Sequence, residues 1–302
     1  AARGLPSAAR CVVVGGGVAG VSACYHLSQR GWSDTVVLER DRLTSGTTWH
    51  AAGLMGRIAS NSRVTKMRRE SAEIYAQLAA ETGMATGFVQ HGGLTIATNE
   101  ERLHLIKRWG RVASAAGADC RMISAEETKE RAPVLNTDDV LGALWSPDDG
   151  QINPVDATAV VAAAAKRAGV RIFEQTPVVE ILKHADGSVK GVRTKEGVIE
   201  CETVLLACGM WTRQIAADAG AVAPLWPCEH EYFLTESAPE AANLPVIRSY
   251  DEHLYLKWDA GKVLVGLFER GAKVAWKDRE RVPDDFSFGS FPDDMEHLEP
   301  HL

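Results

Sequence analysis

The apolar positions first gather at residues 11–14, CVVV, an unbroken run of the kind a strand buried on both faces requires. A glycine cluster follows, Gly15, Gly16, Gly17 and Gly20, and then an Ala/Leu-rich stretch lasting to Gly31. TVVLE at 35–39 repeats the strand pattern and closes a unit of βαβ size, so the fold begins as α/β. Met67, Ile74, Tyr75 and Leu78 give residues 64–82 the period of an amphipathic helix that Gly83 ends. A second helix is expected over about 100–116, and Ser124 and Glu127 stand at capping-box spacing for a third, short one that Pro133 stops.

Further along, the Ala-rich run DATAVVAAAAKRAG at 156–169 is helical by propensity, and VRIFE and PVVEIL after it cluster like strands. TVLLACG at 203–209 reads as another buried strand ending in glycine. From about residue 225 the pattern is β-rich, with EHEYFLT, HLYLKW and KVLVGLF separated by turn residues. This order predicts a dinucleotide-binding domain (9–86 and 150–220) interrupted by inserts and packed on a substrate domain with an antiparallel sheet (87–149 and 221–302). Internal repeats and low-complexity segments are absent from the sequence.

A length of 302 residues with 45% hydrophobic residues suffices for a sizeable core. The net charge of -7 and the lack of any Lys/Arg-rich block argue against nucleic acid as a partner. Cys11, Cys24, Cys120, Cys201, Cys208 and Cys228 stand far apart with no CxxC pair, which reads as reduced thiols and no metal site. No apolar run approaches the roughly 18–20 residues that span a bilayer. The opening AARGLPSAAR has the Ala/Arg-rich, acid-free character of a transit-peptide end but equally suits a bacterial tail, leaving mitochondrial matrix and bacterial cytoplasm both open.

Gly15-x-Gly17-x-x-Gly20 falls between the first strand and helix, where glycines allow a tight turn and a close backbone approach to a pyrophosphate. Glu39 follows 19 residues after Gly20, at the end of the second strand, where a carboxylate accepts from ribose hydroxyls. An acid there disfavours a 2′-phosphate and hence NADP; it does not separate NAD from FAD. In LTSGTTWHAAGL at 43–54, small residues crowd around Trp49 and His50, so the backbone can approach a flat ring closely. A neutral histidine is a competent nucleophile toward the flavin 8α-methyl carbon, although a histidine merely hydrogen-bonded in a loop satisfies the same residues.

GGGVAG, Glu39, TSGTTWHAAGL, GGLTIA at 92–97, SPDDGQINP at 146–154 and CEHEYFLT at 228–235 together resemble the dimethylglycine and sarcosine dehydrogenase family, whose wider relatives are the amine and D-amino-acid oxidases. The resemblance runs from about residue 9 to the end, and WHAAGL is its most specific element. It implies a D-amino-acid-oxidase-like fold and a covalent FAD carried by His50. The implied cofactor shell is Gly15, Gly17, Val18, Ala19, Gly20, Glu39, Arg40, Thr48, Trp49, His50, Ala51, Ala52, Leu54 and Val178. A related regulatory subunit of pyruvate dehydrogenase phosphatase shares much of the pattern without the Trp-His pair; the presence of Trp49 and His50 favours a catalytic member.

Strand alternation puts Cys228, His230, Tyr232 and Leu234 on one face, so that His230 is expected to point inward. It likewise opposes His253, Tyr255 and Lys257 to Leu254, Leu256 and Trp258, leaving one face to line a polar cavity. The resemblance implies that His230 and Tyr255 flank the substrate; a satisfied core histidine and a strand tyrosine are the alternative. Arg248 and Lys257 are candidate partners for a substrate carboxylate. The implied reaction oxidises the N-methyl group of sarcosine or dimethylglycine, with oxygen or an electron-transfer flavoprotein as acceptor. Tetrahydrofolate enters only with a folate-binding half, which family members carry beyond a return segment that follows the DDMEHLEPHL stretch ending this sequence. A silent regulatory flavoprotein and an NAD-dependent dehydrogenase are the competing classes.

Overall fold

A computed structural model describes residues 4–299; the first three residues of AARGLPSAAR and the last three of DDMEHLEPHL lie outside the described residues. The chain opens with β1 (Ala8–Val14), α1 (Val18–Gln29) and β2 (Thr35–Leu38), the expected βαβ start. After a 3-10 turn at Thr47–His50 come β3 (Leu54–Met55), α2 (Ser62–Thr82), β4 (Gly93–Ala97) and α3 (Glu100–Ala115). Next are β5 (Arg121–Ile123), α4 (Ala125–Arg131), β6 (Gly142–Ser146), β7 (Gly150–Gln151) and α5 (Pro154–Arg167). The return to the first sheet uses β8 (Arg171–Phe173), β9 (Val178–Lys183), β10 (Val189–Thr194) and β11 (Val198–Leu206), followed by α6 (Thr212–Asp218). The last stretch holds β12 (Tyr232–Leu234), β13 (Val246–Ser249), β14 (Leu254–Asp259), β15 (Lys262–Leu267) and α7 (Met295–Leu298).

Helix boundaries follow side-chain chemistry. Asn61, Asn99, Ser124 and Asn153 each accept a backbone N–H of the first turn of α2, α3, α4 and α5, and Gly83 closes α2 in the left-handed region at φ 71°. Ser124 Oγ accepts from Glu127 N at 3.2 Å, as the capping spacing predicts. In α2, Leu78 is buried while Met67 is 64% exposed, so the apolar stripe read from the sequence engages the core only in the helix's second half, through Ile74, Tyr75 and Leu78.

The first sheet has the order β8-β2-β1-β11-β10-β9, parallel through β11 and antiparallel beyond it. Its central strand is buried on both sides because Val12 and Val14 pack with Val36, Leu38 and Ile199 on one face, and Cys11 and Val13 with Cys24 of α1 and Ala165 of α5 on the other. TVLLACG departs from expectation. The strand is longer, ends at Leu206 before the glycine, and alternates in burial rather than being enclosed. Leu205, level with the fully buried Val13, is 37% exposed, since α1 and α5 lie over β1 and β2 rather than β11.

The second sheet runs β12-β15-β14-β13-β4-β6-β5. Every neighbouring pair is antiparallel except β13 with β4, so the sheet is mixed where sequence alone predicts purely antiparallel pairing. Leu94, Ile96, Ile247, Val263 and Val265 form its core, joined by Leu256 and Trp258. The EHEYFLT strand shrinks to Tyr232–Leu234; His230 lies before it, and its side chain is half exposed rather than enclosed as expected. His253 also precedes its strand, at φ 58°. No described helix is long and apolar enough to cross a membrane.

Candidate active site

The glycine turn admits no side chains at two of its positions. Gly15 sits at φ 112°, and a Cβ there would lie 2.3 Å from Ala207 O. A Cβ on Gly20 would lie 2.0 Å from Gly15 O, so the helix can seat against the strand end only as glycine. Glu39, buried at 7% exposure, accepts from Gly16 N at 2.6 Å through Oε2 and from Asp41 N at 2.9 Å through Oε1. Its oxygens keep further lone pairs for hydroxyl donors. Val18 and Ala19 form the open end of α1, where backbone N–H groups and the helix dipole favour an anion.

The Trp-His loop meets this turn directly. Thr44 N donates to Gly16 O at 3.1 Å, and Val18 N donates to Thr48 Oγ1 at 3.1 Å. Thr44 takes φ 72°, unusual for a β-branched residue, and its buried Oγ1 has no hydrogen-bond partner. The Trp49 and His50 ring centroids are 3.7 Å apart, and Phe288 lies 5.6 Å from Trp49. His50 Nε2 is 2.9 Å from Gly289 O; a carbonyl only accepts, so this nitrogen carries the proton. Ala51, Ala52 and Leu54 continue from the loop, with Leu54 paired to Gln151.

Two expected cofactor residues stand apart from the turn. Arg40 stacks its guanidinium 3.7 Å above Trp211 and donates to Phe286 O at 3.2 Å; burial lowers its pKa from the ordinary arginine range. Val178 packs its side chain on the first sheet's core, two residues past Thr176, whose N–H donates to Glu39 O at 2.8 Å.

A cleft of ≈ 420 Å³ opens beside the loop, lined by Trp49, His50, Gln151, Tyr232, Tyr255 and Lys257 among others. As strand alternation predicts, Tyr255 and Lys257 face this cleft while Leu256 and Trp258 join the core. Burial, and then Tyr232 and Glu269, push the Tyr255 hydroxyl up to about 12, so it remains a proton donor at neutral pH. Lys257 is buried with Nζ 3.4 Å from Asp259 Oδ2. Arg248 instead pairs with buried Asp149 at 3.5 Å. His230 is stacked beside Tyr255, with ring centroids 6.5 Å apart and planes within 22°, and is not itself among the residues lining the cleft. A second cavity of ≈ 510 Å³, lined by Arg42, Phe173 and Glu174, flanks Glu39 at the sheet edge and holds none of the ring-bearing site residues.

Sequence reasoning missed Tyr232, whose ring centroid is 6.2 Å from that of His50, and Gln151, whose buried Oε1 in the cleft has no partner. It also missed Gly266. Tyr232, Gly266 and Tyr255 are lateral neighbours on three adjacent strands, and a glycine inside KVLVGLF was the available signal of a close approach.

The family described as "FAD dependent oxidoreductase" matches residues 10–302. The chain is 37% identical to mitochondrial sarcosine dehydrogenase of Homo sapiens over 99% of its length and 33% of that protein. It is 37% identical to 4-methylaminobutanoate oxidase (formaldehyde-forming) of Paenarthrobacter nicotinovorans over 98% of its length and 36% of that protein. Among solved structures, L-proline dehydrogenase from P. horikoshii superposes with a TM-score of 0.80 at 26% identity, covering 98% of this chain and 76% of that one. The chain thus spans about a third of the length of the curated relatives it matches. The glycine turn, its buried carboxylate and the whole-chain likeness agree: this chain belongs to the FAD dependent oxidoreductase family.

Proposed function

We propose that this chain holds FAD between the glycine turn and the Trp49–His50 loop and oxidises a small N-methyl amino acid, sarcosine or dimethylglycine, in the adjoining cleft. The observation that carries the reading is the Val18 N–Thr48 Oγ1 bond, which joins the anion-binding helix end to the loop that faces the cleft. The residues fit the cofactor: the turn has no room for side chains at Gly15 and Gly20, and Thr44 Oγ1 is a buried polar atom still without a partner. Gly15, Gly17, Val18, Ala19 and Gly20 would receive the pyrophosphate and Glu39 the ribose, with Arg40 and Val178 flanking. Thr48, Trp49, His50, Ala51, Ala52 and Leu54 would hold the ring. FAD, when bound, supplies the hydride-accepting chemistry.

The chain's own residues bind and prepare the amine. Lys257 offers a cation to the substrate carboxylate, and the Tyr255 hydroxyl, held protonated, donates a hydrogen bond. An ammonium cannot give up hydride, so a base must first take its proton; His230, stacked at the edge of the cleft on Tyr255, is assigned that part. Residues 9–86 with 150–220 are proposed as the flavin domain and 87–149 with 221–302 as the substrate domain, with an electron-transfer flavoprotein as acceptor partner. The names of the two relatives at 37% identity favour this substrate class.

Anaerobic addition of sarcosine or dimethylglycine should bleach the flavin absorbance. A yellow protein that neither substrate bleaches points instead to a silent flavoprotein, and a colourless one that binds nicotinamide to an NAD-dependent enzyme. His50 is proposed as the covalent attachment. Acid-precipitated protein should then stay yellow and His50→Ala should release the colour, whereas a wild-type pellet that loses all flavin removes this assignment.

A further inference from the structure

Glu269, two residues beyond β15, has a side chain only 1% exposed, and no sequence motif draws attention to it. Its Oε2 lies 2.6 Å from His230 Nδ1, and its Oε1 accepts the backbone N–H of Glu231 at 3.0 Å. His297 Nε2, from α7, approaches Oε1 at 3.4 Å. Burying a carboxylate is costly unless donors surround it, and here the donors converge from two segments. His230 itself is 51% exposed on its side chain and needs no partner for solvation. The contact therefore fixes a ring rather than rescuing one.

A carboxylate offers only lone pairs, so the proton in this bond belongs to Nδ1 and the neutral ring keeps its free pair on Nε2. The ring plane is aligned with Tyr255, which lines the cleft. Among the described residues, the ionisable groups in contact with the pair are Tyr255, His297 and, through its backbone, Glu231; Tyr232 acts on Tyr255, and Glu229 and Lys273, the latter paired with Asp294, act on Glu231.

We infer that Glu269 is the positioning residue of His230, holding the tautomer whose Nε2 takes the proton of the substrate ammonium; this rests on the base assigned above. The N–H bond of the ammonium breaks and an Nε2–H bond forms, leaving a neutral amine and an imidazolium whose charge faces the Glu269 carboxylate. No other bond changes in that step.

The test is the pH profile of kcat/KM for the flavin-loaded protein with sarcosine, for wild type, Glu269→Gln, His230→Asn and the double variant. Glu269→Gln should lower kcat/KM about tenfold and move the acid limb about one unit toward lower pH, because the imidazolium loses its counter-charge. In the His230→Asn background the same change should have no further effect. A Glu269→Gln limb that stays at the wild-type pH overturns the proposal. A limb unaffected by His230→Asn instead overturns the base assignment beneath it. If Glu269→Gln does not fold, the tautomer is read in the wild type by histidine ¹⁵N NMR, with the His230 signal identified by its loss in His230→Asn. A protonated Nδ1 with bare Nε2 supports the proposal, and the opposite tautomer sinks it.

Discussion

The phenol of Tyr255 occupies the volume that a side chain on Gly266 would claim: a Cβ at position 266 would lie 1.9 Å from Tyr255 Cζ. The two are paired across β14 and β15, with Tyr232 on the far side of Gly266. Gly266→Ala should therefore displace the ring from the cleft wall and cost about 1–3 kcal/mol of stability, as overpacked cores do. Flavin content should be unchanged while kcat/KM falls about tenfold or more, a loss that a displaced binding group accounts for. Thermal melts with parallel kinetics check this, and wild-type kcat/KM in Gly266→Ala would show that the ring position is immaterial.

Gly20 and Gly187 separate close approach from backbone strain. A methyl group at 20 meets Gly15 O at 2.0 Å, whereas Gly187, at φ 86°, has nothing within 4 Å of its Cβ position. Gly20→Ala should yield protein without flavin, measured as the ratio of visible to protein absorbance. Gly187→Ala should cost only about 1 kcal/mol and keep its colour.

Burial raises the thiol pKa values of Cys24, Cys201 and Cys208 to about 12, 11 and 12. Raised values mean neutral thiols at pH 8 and slow alkylation. Exposed Cys228 should take iodoacetamide first in the native protein, as read by peptide mass spectrometry. The sign for stability follows: the buried thiols stay protonated while those of the unfolded chain ionise from about pH 8.5, so their contribution is present below that pH and is lost as pH rises toward about 12. Denaturant midpoints should fall over that alkaline window and fall less in a Cys24→Ala variant.

Gln151 carries a buried carbonyl oxygen in the cleft with no partner in the protein. Replacing it with Leu should leave the melting temperature unchanged or higher, since no internal bond is lost, while KM rises about three- to tenfold if a ligand N–H is its partner. Unaltered KM would assign that oxygen no part in binding.

Much of this architecture was legible because local rules and tertiary context agree. Gly15, Gly20 and Glu39 meet in one turn, as their spacing suggests, since a tight turn, a helix end and a following acid constrain one another within a single βαβ unit. Tyr255 and Lys257 face the cleft because period-two alternation survives in a strand with neighbours on both sides. The expected burial of His230 is lost for the converse reason: pairing with β15 covers only Tyr232–Leu234, so alternation had no regular ladder to act on two residues earlier. Glu269, Gly289 and Phe288 come from distant segments to meet His230, His50 and Trp49, and nothing periodic announces such meetings.

The hydroxyl of Thr48 already occupies the amide of Val18 at the mouth of α1. An arriving phosphate oxygen must trade places with that hydroxyl, or share it, instead of recruiting a bare donor from solvent. Loading is thereby an exchange on a surface held in shape beforehand. Thr48→Val, which empties the seat, should slow FAD uptake by protein produced without flavin more than it weakens the finished complex, a difference stopped-flow mixing with FAD resolves.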